Sequence, residues 1–382
     1  MADFIFKPLP NIILGNYSLL RIGGEVEKFG SSFMLIIDPM LKGTDLLKTI
    51  TSSLEKKGIS TLVFDGIGSA AETAVINRAL ELARAAHIGG VIYAGGIAPA
   101  GVGRAVAALY NESDDIYDYV EGKPCKADSL PFIAIPTTCR DPFSFSGLSP
   151  VLDSRNGKLS LLKVPEKLCS LCIFDPGCYS EVAPNAAIAM ILQGIGMAFE
   201  GYSSTKTNFF SETVLGKAIE LFLISLDPQR DKLVGVPREE LIAQAACLTS
   251  IGLASSAPGL GTAMALTCSG RYKISSSLIS TILLPHVLNY SISSSLNKIL
   301  ILARMLKMDT KGMEPLAIAL ATIDEVRRLL AQANLPTRLK DLNLTIEQLV
   351  PVAEDSMKLS FINYIPYSMT SNDIFEILKQ AY

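Results

Sequence analysis

The first half of the chain alternates short apolar runs with segments of helical period. Several of these runs lack polar alternation, which is typical of strands buried on both faces of a sheet. Alternation of strands and helices predicts a parallel, Rossmann-like sheet that is covered by helices. The predicted strands are Asn11–Leu14, Phe33–Asp38, Leu62–Asp65, Gly90–Ala94, Phe132–Pro136 and Leu168–Phe174.

The pattern changes after Asp175-Pro176. Apolar positions now recur at helical spacing through long segments, and Pro237 followed by Arg238-Glu239-Glu240 is a typical helix start. We therefore expect an α/β domain over residues 1–178 and an all-α domain over residues 179–382. The predicted helices of the second part are 185–202, 211–226, 238–257, 278–306, 313–333, 345–353 and 372–381.

Three long stretches without charged residues raise the question of membrane helices, since a bilayer-spanning helix needs about 20 mostly apolar residues. They cover residues 182–199, 241–270 and 274–297. The first carries Asn185 and Gln193, and serines, glycines or proline interrupt the other two. We expect buried helices of a large core and no membrane span.

Composition limits the classes of binding partner and the cellular compartment that we expect for this chain. The 382 residues include 37 acidic and 34 basic side chains, a net charge of −3, so the chain lacks the basic character of a nucleic-acid-binding protein. Seven cysteines follow no framework spacing, and the first residues lack the basic-then-apolar layout of a signal peptide. We expect a cytoplasmic protein with reduced thiols.

Histidine is scarce among the potential metal ligands, since only His87 and His286 are present. One chain therefore cannot form a site that needs three histidines. The pair Cys169-x-x-Cys172 suggests a metal or redox site, but residues three apart on a strand point to opposite faces. We expect both thiols to be structural.

A glycine-rich segment, Ala94-Gly95-Gly96-Ile97-Ala98-Pro99-Ala100-Gly101, follows one predicted strand and opens a helix. Glycines there let a phosphate approach the backbone at the positive end of the helix dipole, although a strand-to-helix turn also needs glycine for steric reasons. Asp38 ends another strand, where a carboxylate either binds a ribose diol or caps the next helix. For the glycine-rich segment, phosphate binding and a purely steric role both stay open. For Asp38, ribose binding and helix capping both stay open.

A third loop, Pro136-Thr137-Thr138-Cys139-Arg140-Asp141-Pro142, follows the strand Phe132–Pro136. Hydroxyl groups at the carboxyl edge of a parallel sheet lie where open α/β folds bind ligands. Arg140 and Asp141 are either a solvated loop pair or part of a cleft in which the Arg140 guanidinium binds an anionic substrate.

The order of the motifs resembles the iron-containing alcohol dehydrogenases, which have the dehydroquinate-synthase-like fold, over nearly the whole chain. This resemblance implies a nucleotide-binding α/β domain followed by an all-α domain that carries the metal site in relatives. It rests on Leu9-Pro10-Asn11-Ile12-Ile13-Leu14-Gly15, Leu35-Ile36-Ile37-Asp38, Ala94-Gly95-Gly96, Ile135-Pro136-Thr137-Thr138, Asp175-Pro176, Phe199-Glu200-Gly201-Tyr202 and Ile282-Leu283-Leu284-Pro285-His286-Val287.

The resemblance also implies that half of an NAD(P) site is retained. The nicotinamide half departs from the family, because Ala98 and Gly101 replace a serine and an aspartate, and residues 139–144 replace a run of mostly small residues. The retained residues are Asp38 for a ribose, Gly95, Gly96, Thr137 and Thr138 for phosphates, and Lys158 near the cofactor.

The family holds a divalent metal with one aspartate and three histidines. Aligned on the retained motifs, these four positions carry Gln193, Met197, Met264 and Ser276, and a further family histidine corresponds to Cys268. Methionine and serine are poor ligands for a hard or borderline divalent ion. The resemblance therefore implies a dismantled site, and we expect no bound metal.

Two functions follow from these departures. The first is a degenerate family member, a pseudoenzyme that binds a nucleotide or metabolite or serves as an assembly subunit for a protein partner. The alternative is a metal-independent NAD(P)-linked alcohol or aldehyde oxidoreductase, in which Lys273 or Tyr272, beside Arg271, is the general acid. In either case the family implies a homodimer or a larger homo-oligomer.

Overall fold

The computed structural model describes residues 10–180, 182–227 and 235–382. These residues form two compact units. The first unit contains residues 10–180 together with Pro237–Ala254, and the second contains the other described residues from 182 onward.

A parallel sheet of six strands is the centre of the first unit, counted over its described residues. The strands are β1 (Asn11–Leu14), β2 (Ser32–Ile37), β3 (Ser60–Phe64), β4 (Gly90–Gly95), β5 (Phe132–Pro136) and β8 (Cys169–Phe174). Their order is β1-β8-β5-β4-β2-β3, with every neighbouring pair parallel. Every residue of β4 and β5 is buried, which is why these runs are continuously apolar. The predicted parallel sheet is confirmed.

Two further strands, β6 (Leu148–Asp153) and β7 (Lys158–Lys163), form an antiparallel hairpin that the sequence did not reveal. Pro150 lies within β6 and pairs in register with Leu161. Proline cannot donate a ladder hydrogen bond, so its presence argues against a strand in any sequence pattern. Both strands of a two-stranded hairpin are edge strands, and an edge strand can contain a proline.

Helices of the first half alternate with the strands. They are α1 (Ile22–Val26), α2 (Asp45–Glu55), α3 (Thr73–Ala85), α4 (Ile97–Leu109), α5 (Ile116–Val120) and α6 (Gly177–Ser180). In α4 every residue after Ile97 is buried, Arg104 included. This helix therefore belongs to the core of the unit.

The later part of the sequence is helical, as predicted. Its described helices are α7 (Pro184–Ser203), α8 (Phe209–Leu226), α9 (Arg238–Ala254), α10 (Leu260–Tyr272), α11 (Ser276–Tyr290), α12 (Ile292–Met305), α13 (Pro315–Gln332), α14 (Ile346–Ser356) and α15 (Ser371–Gln380). The single helix predicted over 278–306 is two helices. Ser291 separates them, and its hydroxyl donates to the Val287 carbonyl at 2.7 Å.

Helix α9 belongs to the first unit although it lies inside the helical half of the sequence. It packs against α6, β8 and β1. A single boundary near residue 178 does not describe this helix, and the roles assigned to residues 1–178 and 179–382 stay predictions.

The three uncharged stretches, 182–199, 241–270 and 274–297, lie mostly within α7, α9, α10, α11 and α12. Breaks in the helices fall between residues 254 and 260 and between 272 and 276. Within the described ranges, no helix is both long enough and apolar enough to cross a bilayer.

Candidate functional site

Strand β4 passes into helix α4 through a turn that accepts only glycine at its first position. Gly95 has a φ of +152°, and a Cβ built on it would lie 2.5 Å from Pro99 Cγ and 3.0 Å from Asp38 Cβ. Side-chain-bearing residues rarely adopt that φ. Asp38, which follows β2, lies directly against this turn. Its carboxylate accepts the Met40 N–H at 3.0 Å and so caps the next short helix, one of the two predicted alternatives.

The first turn of α4 is an uncapped helix N-terminus. Its N-cap residue is Gly96, and no side chain in the described parts of the chain caps it. Beside it lies Thr138 Oγ1, which would be 3.3 Å from a Cβ on Gly96. This oxygen is inaccessible to solvent and has no hydrogen-bond partner among the described residues. Free N–H groups and an unused hydroxyl are suited to an anion.

Arg140 brings a positive charge to the same turn. Its Nη2 would lie 3.9 Å from a Cβ on Gly96. Burial lowers the pKa of the Arg140 guanidinium below its usual value, while Cys139 and the Asp38 carboxylate act in the opposite direction. The group stays cationic, because arginine is not deprotonated in proteins. The structure thus brings Asp38, Thr138 and Arg140 around the two glycines.

The remaining predicted cofactor residues differ in where they lie. Thr137 is 7 % exposed, and its N–H donates to the Gly95 carbonyl at 3.0 Å. Lys158 is exposed at the first position of β7, in register with Asp153. Thr137 therefore joins the glycine turn, whereas the Lys158 N–H donates to Asn156 Oδ1 at 2.8 Å in the hairpin.

A buried ion pair that sequence reasoning missed holds the loop that follows β5. Arg104 Nη1 lies 2.6 Å from Asp141 Oδ2, and the two side chains are 2 % and 4 % exposed. Arg104 also donates to Ser149 Oγ at 3.2 Å, and the Phe143 N–H donates to Asp141 Oδ1 at 3.0 Å. The idea of a solvated Arg140–Asp141 pair is wrong, because Asp141 is buried with Arg104. An arginine within an otherwise apolar helix was the available signal, since a buried charge needs a partner.

The four residues predicted at the family's metal positions all lie in the second unit. Gln193 and Met197 lie one turn apart on α7 and are 4 % and 3 % exposed, and Met264 on α10 is fully buried. Ser276 is the first residue of α11. Gln193 Oε1 is buried without a hydrogen-bond partner among the described residues. In the described ranges, no group of three His, Cys, Asp or Glu side chains could hold a metal ion.

The polar residues near the end of α10 are engaged in structural contacts. Arg271 Nε donates to Asp355 Oδ2 at 2.9 Å, and the Tyr272 hydroxyl donates to the Gln348 carbonyl at 2.7 Å. Lys273 follows the helix as its exposed C-cap, with a φ of 56°. Burial raises the pKa of the Cys268 thiol to about 12, so that thiol stays protonated. General acid roles for Tyr272 and Lys273 stay predictions.

Glu200, in the segment Phe199-Glu200-Gly201-Tyr202, caps the start of α10. Its carboxylate accepts the Gly259 N–H at 2.9 Å, the Thr262 N–H at 3.1 Å and the Thr262 hydroxyl at 2.6 Å. Burial raises the pKa of Glu200, and these hydrogen bonds act against that rise. The residue therefore fixes α7 against the helix that carries Met264.

Solved structures of several oxidoreductases share the fold of this chain. The crystal structure of a 1,3-propanediol oxidoreductase matches with a TM-score of 0.90 at 20 % identity, over 100 % of both chains. The sulfoacetaldehyde reductase of Bifidobacterium kashiwanohense matches with a TM-score of 0.81 at 19 % identity, over 100 % of this chain and 99 % of that one. Likeness at these identities establishes the fold.

The family follows from the sequence. Residues 10–176 match the model of the iron-containing alcohol dehydrogenases, and residues 189–382 match that of the family's C-terminal domain. The 1,3-propanediol dehydrogenase of Citrobacter freundii is 23 % identical over 387 residues, covering 100 % of this chain and 99 % of that protein. The lactaldehyde reductase of Escherichia coli (strain K12) is 22 % identical over 363 residues, covering 94 % of each. The chain belongs to the iron-containing alcohol dehydrogenase family, which confirms the resemblance.

Proposed function

We propose that this member of an oxidoreductase family binds a nucleotide or small metabolite without the divalent metal of its family. It acts as a degenerate, pseudoenzyme-like member or as a subunit of a protein assembly. The proposal rests on the predicted alignment of the family's four ligand positions with Gln193, Met197, Met264 and Ser276. Three of these side chains are buried, so solvent or a remote carboxylate does not readily complete a coordination sphere there.

The missing ligands matter because of what a metal supplies in this family. A bound divalent ion is a Lewis acid that polarises an alcohol or carbonyl oxygen, an effect worth several kcal/mol. Each ~1.4 kcal/mol is about tenfold in rate. Thioether, amide and hydroxyl groups are not the carboxylate and imidazole ligands that such ions select. We derive no metal-dependent step for this chain.

Metal analysis tests this proposal directly. The purified chain is incubated with Fe²⁺, Zn²⁺ or Ni²⁺, desalted and measured by elemental analysis, and we expect no stoichiometric ion. The matched control restores the family ligands together (Gln193→Asp, Met197→His, Met264→His and Ser276→His), and this variant is expected to retain metal. A stoichiometric, tightly held ion in the wild-type chain would contradict the proposal.

The nucleotide part of the proposal rests on the glycine turn. Asp38, Gly95, Gly96, Thr137 and Thr138 lie together in the first unit, and we retain Lys158 as a predicted neighbour of the cofactor. Two relatives support NAD(P): an NAD-dependent methanol dehydrogenase from Bacillus methanolicus, and the sulfoacetaldehyde reductase, which was solved in complex with NAD⁺.

The alternative is a metal-independent NAD(P)-linked alcohol or aldehyde oxidoreductase. It is favoured by the names of the relatives, which are dehydrogenases and reductases, and by the exposed position of Lys273. Hydride transfer that survives EDTA and disappears in Lys273→Ala, but persists in Lys358→Ala, is the result expected of this alternative. Activity lost on EDTA treatment, or no activity with either NAD or NADP, would rule out the metal-independent oxidoreductase.

Two further proposals come from the family and the composition. We propose a homodimer or larger homo-oligomer and a cytoplasmic location. The near-neutral net charge of −3 supports neither a nucleic-acid partner nor an anionic surface as a partner.

A further inference from the structure

We infer that the thiols of Cys169 and Cys172 together bind a single soft cation that takes two sulfur ligands, of the class to which Cu⁺ belongs. Both cysteines lie in β8, and Cys169 is the first residue of that strand. The strand belongs to the first unit, whereas the residues predicted at the family's metal positions lie in the second. The inference therefore goes beyond the proposed function and does not depend on it.

A bulge in β8 puts the two cysteines on the same face of the sheet. Cys169 pairs in register with Phe132 of the neighbouring strand β5. Cys172 pairs with Ala134, only two residues further along β5, so β8 has one extra residue between these pairs. Residues two apart on a strand share a face, and so do residues paired across strands. The expectation that the two cysteines point to opposite faces is wrong, because the extra residue changes the alternation.

An aromatic neighbour agrees with this placement. Tyr93 of β4 pairs with Ala134 and so lies in the same row across the sheet as Cys172. Its ring stacks on the Phe132 ring, with 5.4 Å between the centroids, as expected of side chains on one face. Burial raises the pKa of the Tyr93 hydroxyl well above its usual value, and Cys172 and Cys169 both add to this rise. The two thiols and the Tyr93 ring are therefore neighbours.

The spacing of the two cysteines fits a bridging ion better than a disulfide. Two residues of a parallel strand span about 6.6 Å, which on one face is the separation expected of the two Cβ atoms. A disulfide needs Cβ atoms about 3.5–4.5 Å apart. Two metal–sulfur bonds of about 2.3 Å each place the sulfur atoms about 4.6 Å apart. Each side chain then leans toward the other by only about 1 Å.

The number of ligands selects the kind of ion. Structural zinc sites are almost always tetrahedral, and over the parts of the chain that the structure describes, no group of three His, Cys, Asp or Glu side chains could hold an ion. Thiolates select soft ions such as Cu⁺, and Cu⁺ accepts two sulfur ligands in a nearly linear arrangement. Cys172 is fully buried, but Cys169 is partly exposed at the start of β8, where an ion can enter. The Cys169 thiol donates to the Leu171 carbonyl at 3.5 Å, a weak bond that an ion would replace.

Both thiols are protonated before an ion binds. Burial raises the pKa of Cys169 to about 12, and the members of the buried pair, Arg104 and Asp141, act on it in opposite directions. Burial also raises the pKa of Cys172 well above its usual value, and Cys169 and Cys247 add to that rise. A thiol must lose its proton to become a ligand, so one ion displaces two protons. The affinity should therefore rise about 100-fold per pH unit through the neutral range.

Anaerobic titration of the full, reduced chain with Cu⁺, in competition with the coloured Cu⁺ chelator bicinchoninate, tests the inference. We expect one tightly held Cu⁺ per chain, two sulfur neighbours in its X-ray absorption spectrum, and the pH dependence given above. Cys169→Ala and Cys172→Ala should each weaken binding at least tenfold. Cys125→Ala is the matched control, because it removes another partly exposed thiol of the first unit, and it should change nothing.

Four results would overturn the inference. They are no Cu⁺ held by the wild-type chain, unchanged affinity in Cys169→Ala, an affinity that rises only about tenfold per pH unit, as for a single thiol, and a loss in Cys247→Ala as large as that in Cys169→Ala, which would mean a third ligand. A disulfide between Cys169 and Cys172 after treatment with oxidised glutathione would also contradict the spacing. Melting temperatures of the ion-free variants show whether a loss of binding merely reflects unfolding, and Cys169→Ala, at the partly exposed end, keeps the test decisive if Cys172→Ala does not fold. None of these results bears on nucleotide binding.

Discussion

At the scale of single residues, two buried carboxylates show how charge stabilises this chain away from any chemistry. Asp141 pairs with Arg104 in the first unit, and Asp355 pairs with Arg271 in the second. Removing one partner of such a pair leaves a charge without compensation, which typically costs about 3–5 kcal/mol. Arg271 therefore has a structural role here, whatever chemistry its neighbours perform.

The Asp355 pair predicts how stability depends on pH. Burial alone would raise the pKa of Asp355, but hydrogen bonds from Arg271 and Lys358 outweigh it and hold the pKa below the usual 3.8. An acid whose pKa is lowered by folding contributes stability above its unfolded pKa and loses it as the pH falls through the folded value. In urea unfolding we expect Asp355→Asn to cost about 3 kcal/mol at neutral pH, the lower end of that range, because Arg271 is 20 % exposed. The difference from wild type should shrink below about pH 4.

A matched control exists for this pH dependence. Asp324 forms an exposed ion pair with Arg327, with side-chain exposures of 72 % and 49 %. Exposed pairs contribute little, so Asp324→Asn should leave the unfolding free energy unchanged at every pH. A cost of Asp355→Asn that stayed constant from neutral to acidic pH would contradict the assignment.

At the scale of elements, the turn between β4 and α4 combines two separate constraints. Gly95 has a backbone conformation that favours glycine, and its missing Cβ also leaves room for Pro99 and Asp38. The sequence alone left open whether this glycine serves sterics or phosphate binding. The structure shows that glycine is needed here for steric reasons, because a side chain at Gly95 would collide with Pro99 and Asp38 whether or not a ligand is bound.

Substitution of this glycine separates strain from collision. Gly95→Ala should cost more than about 3 kcal/mol, since an unfavourable φ accounts for about 1–3 and the contact with Pro99 adds to it. Gly122→Ala is the control: its φ is +109°, and no described atom lies within 4 Å of the built Cβ. Thermal unfolding of both variants measures the difference, and equal losses would show that the collision contributes nothing.

Secondary structure could be predicted where a sequence pattern has a single physical cause, such as burial on both faces of a sheet. The buried strands of the sheet gave continuous apolar runs because both faces are covered. The hairpin of β6 and β7 escaped, since Pro150 cannot donate a ladder hydrogen bond and so argues against a strand. The break at Ser291 escaped because serine is tolerated within a helix, where its hydroxyl can donate to the carbonyl four residues earlier, as it does here to Val287.

At the scale of the whole molecule, family membership and local chemistry give different information. Both family models match, and solved relatives share the fold over the full chain at 18–20 % identity. Gln193, Met197 and Met264, which we predict at the family's metal positions, are buried. Fold alone does not fix function, so the retained glycine turn and the altered metal positions must each be tested.

The sequence by itself determined the class of the fold and the family. These are read from periodicity and order, which are properties of a chain. Tertiary structure alone decided that Asp141 pairs with Arg104, that α9 belongs with the sheet, and that Arg140 and Thr138 lie over Gly96. Each depends on residues far apart in sequence that packing brings together, and no local pattern encodes such a distance.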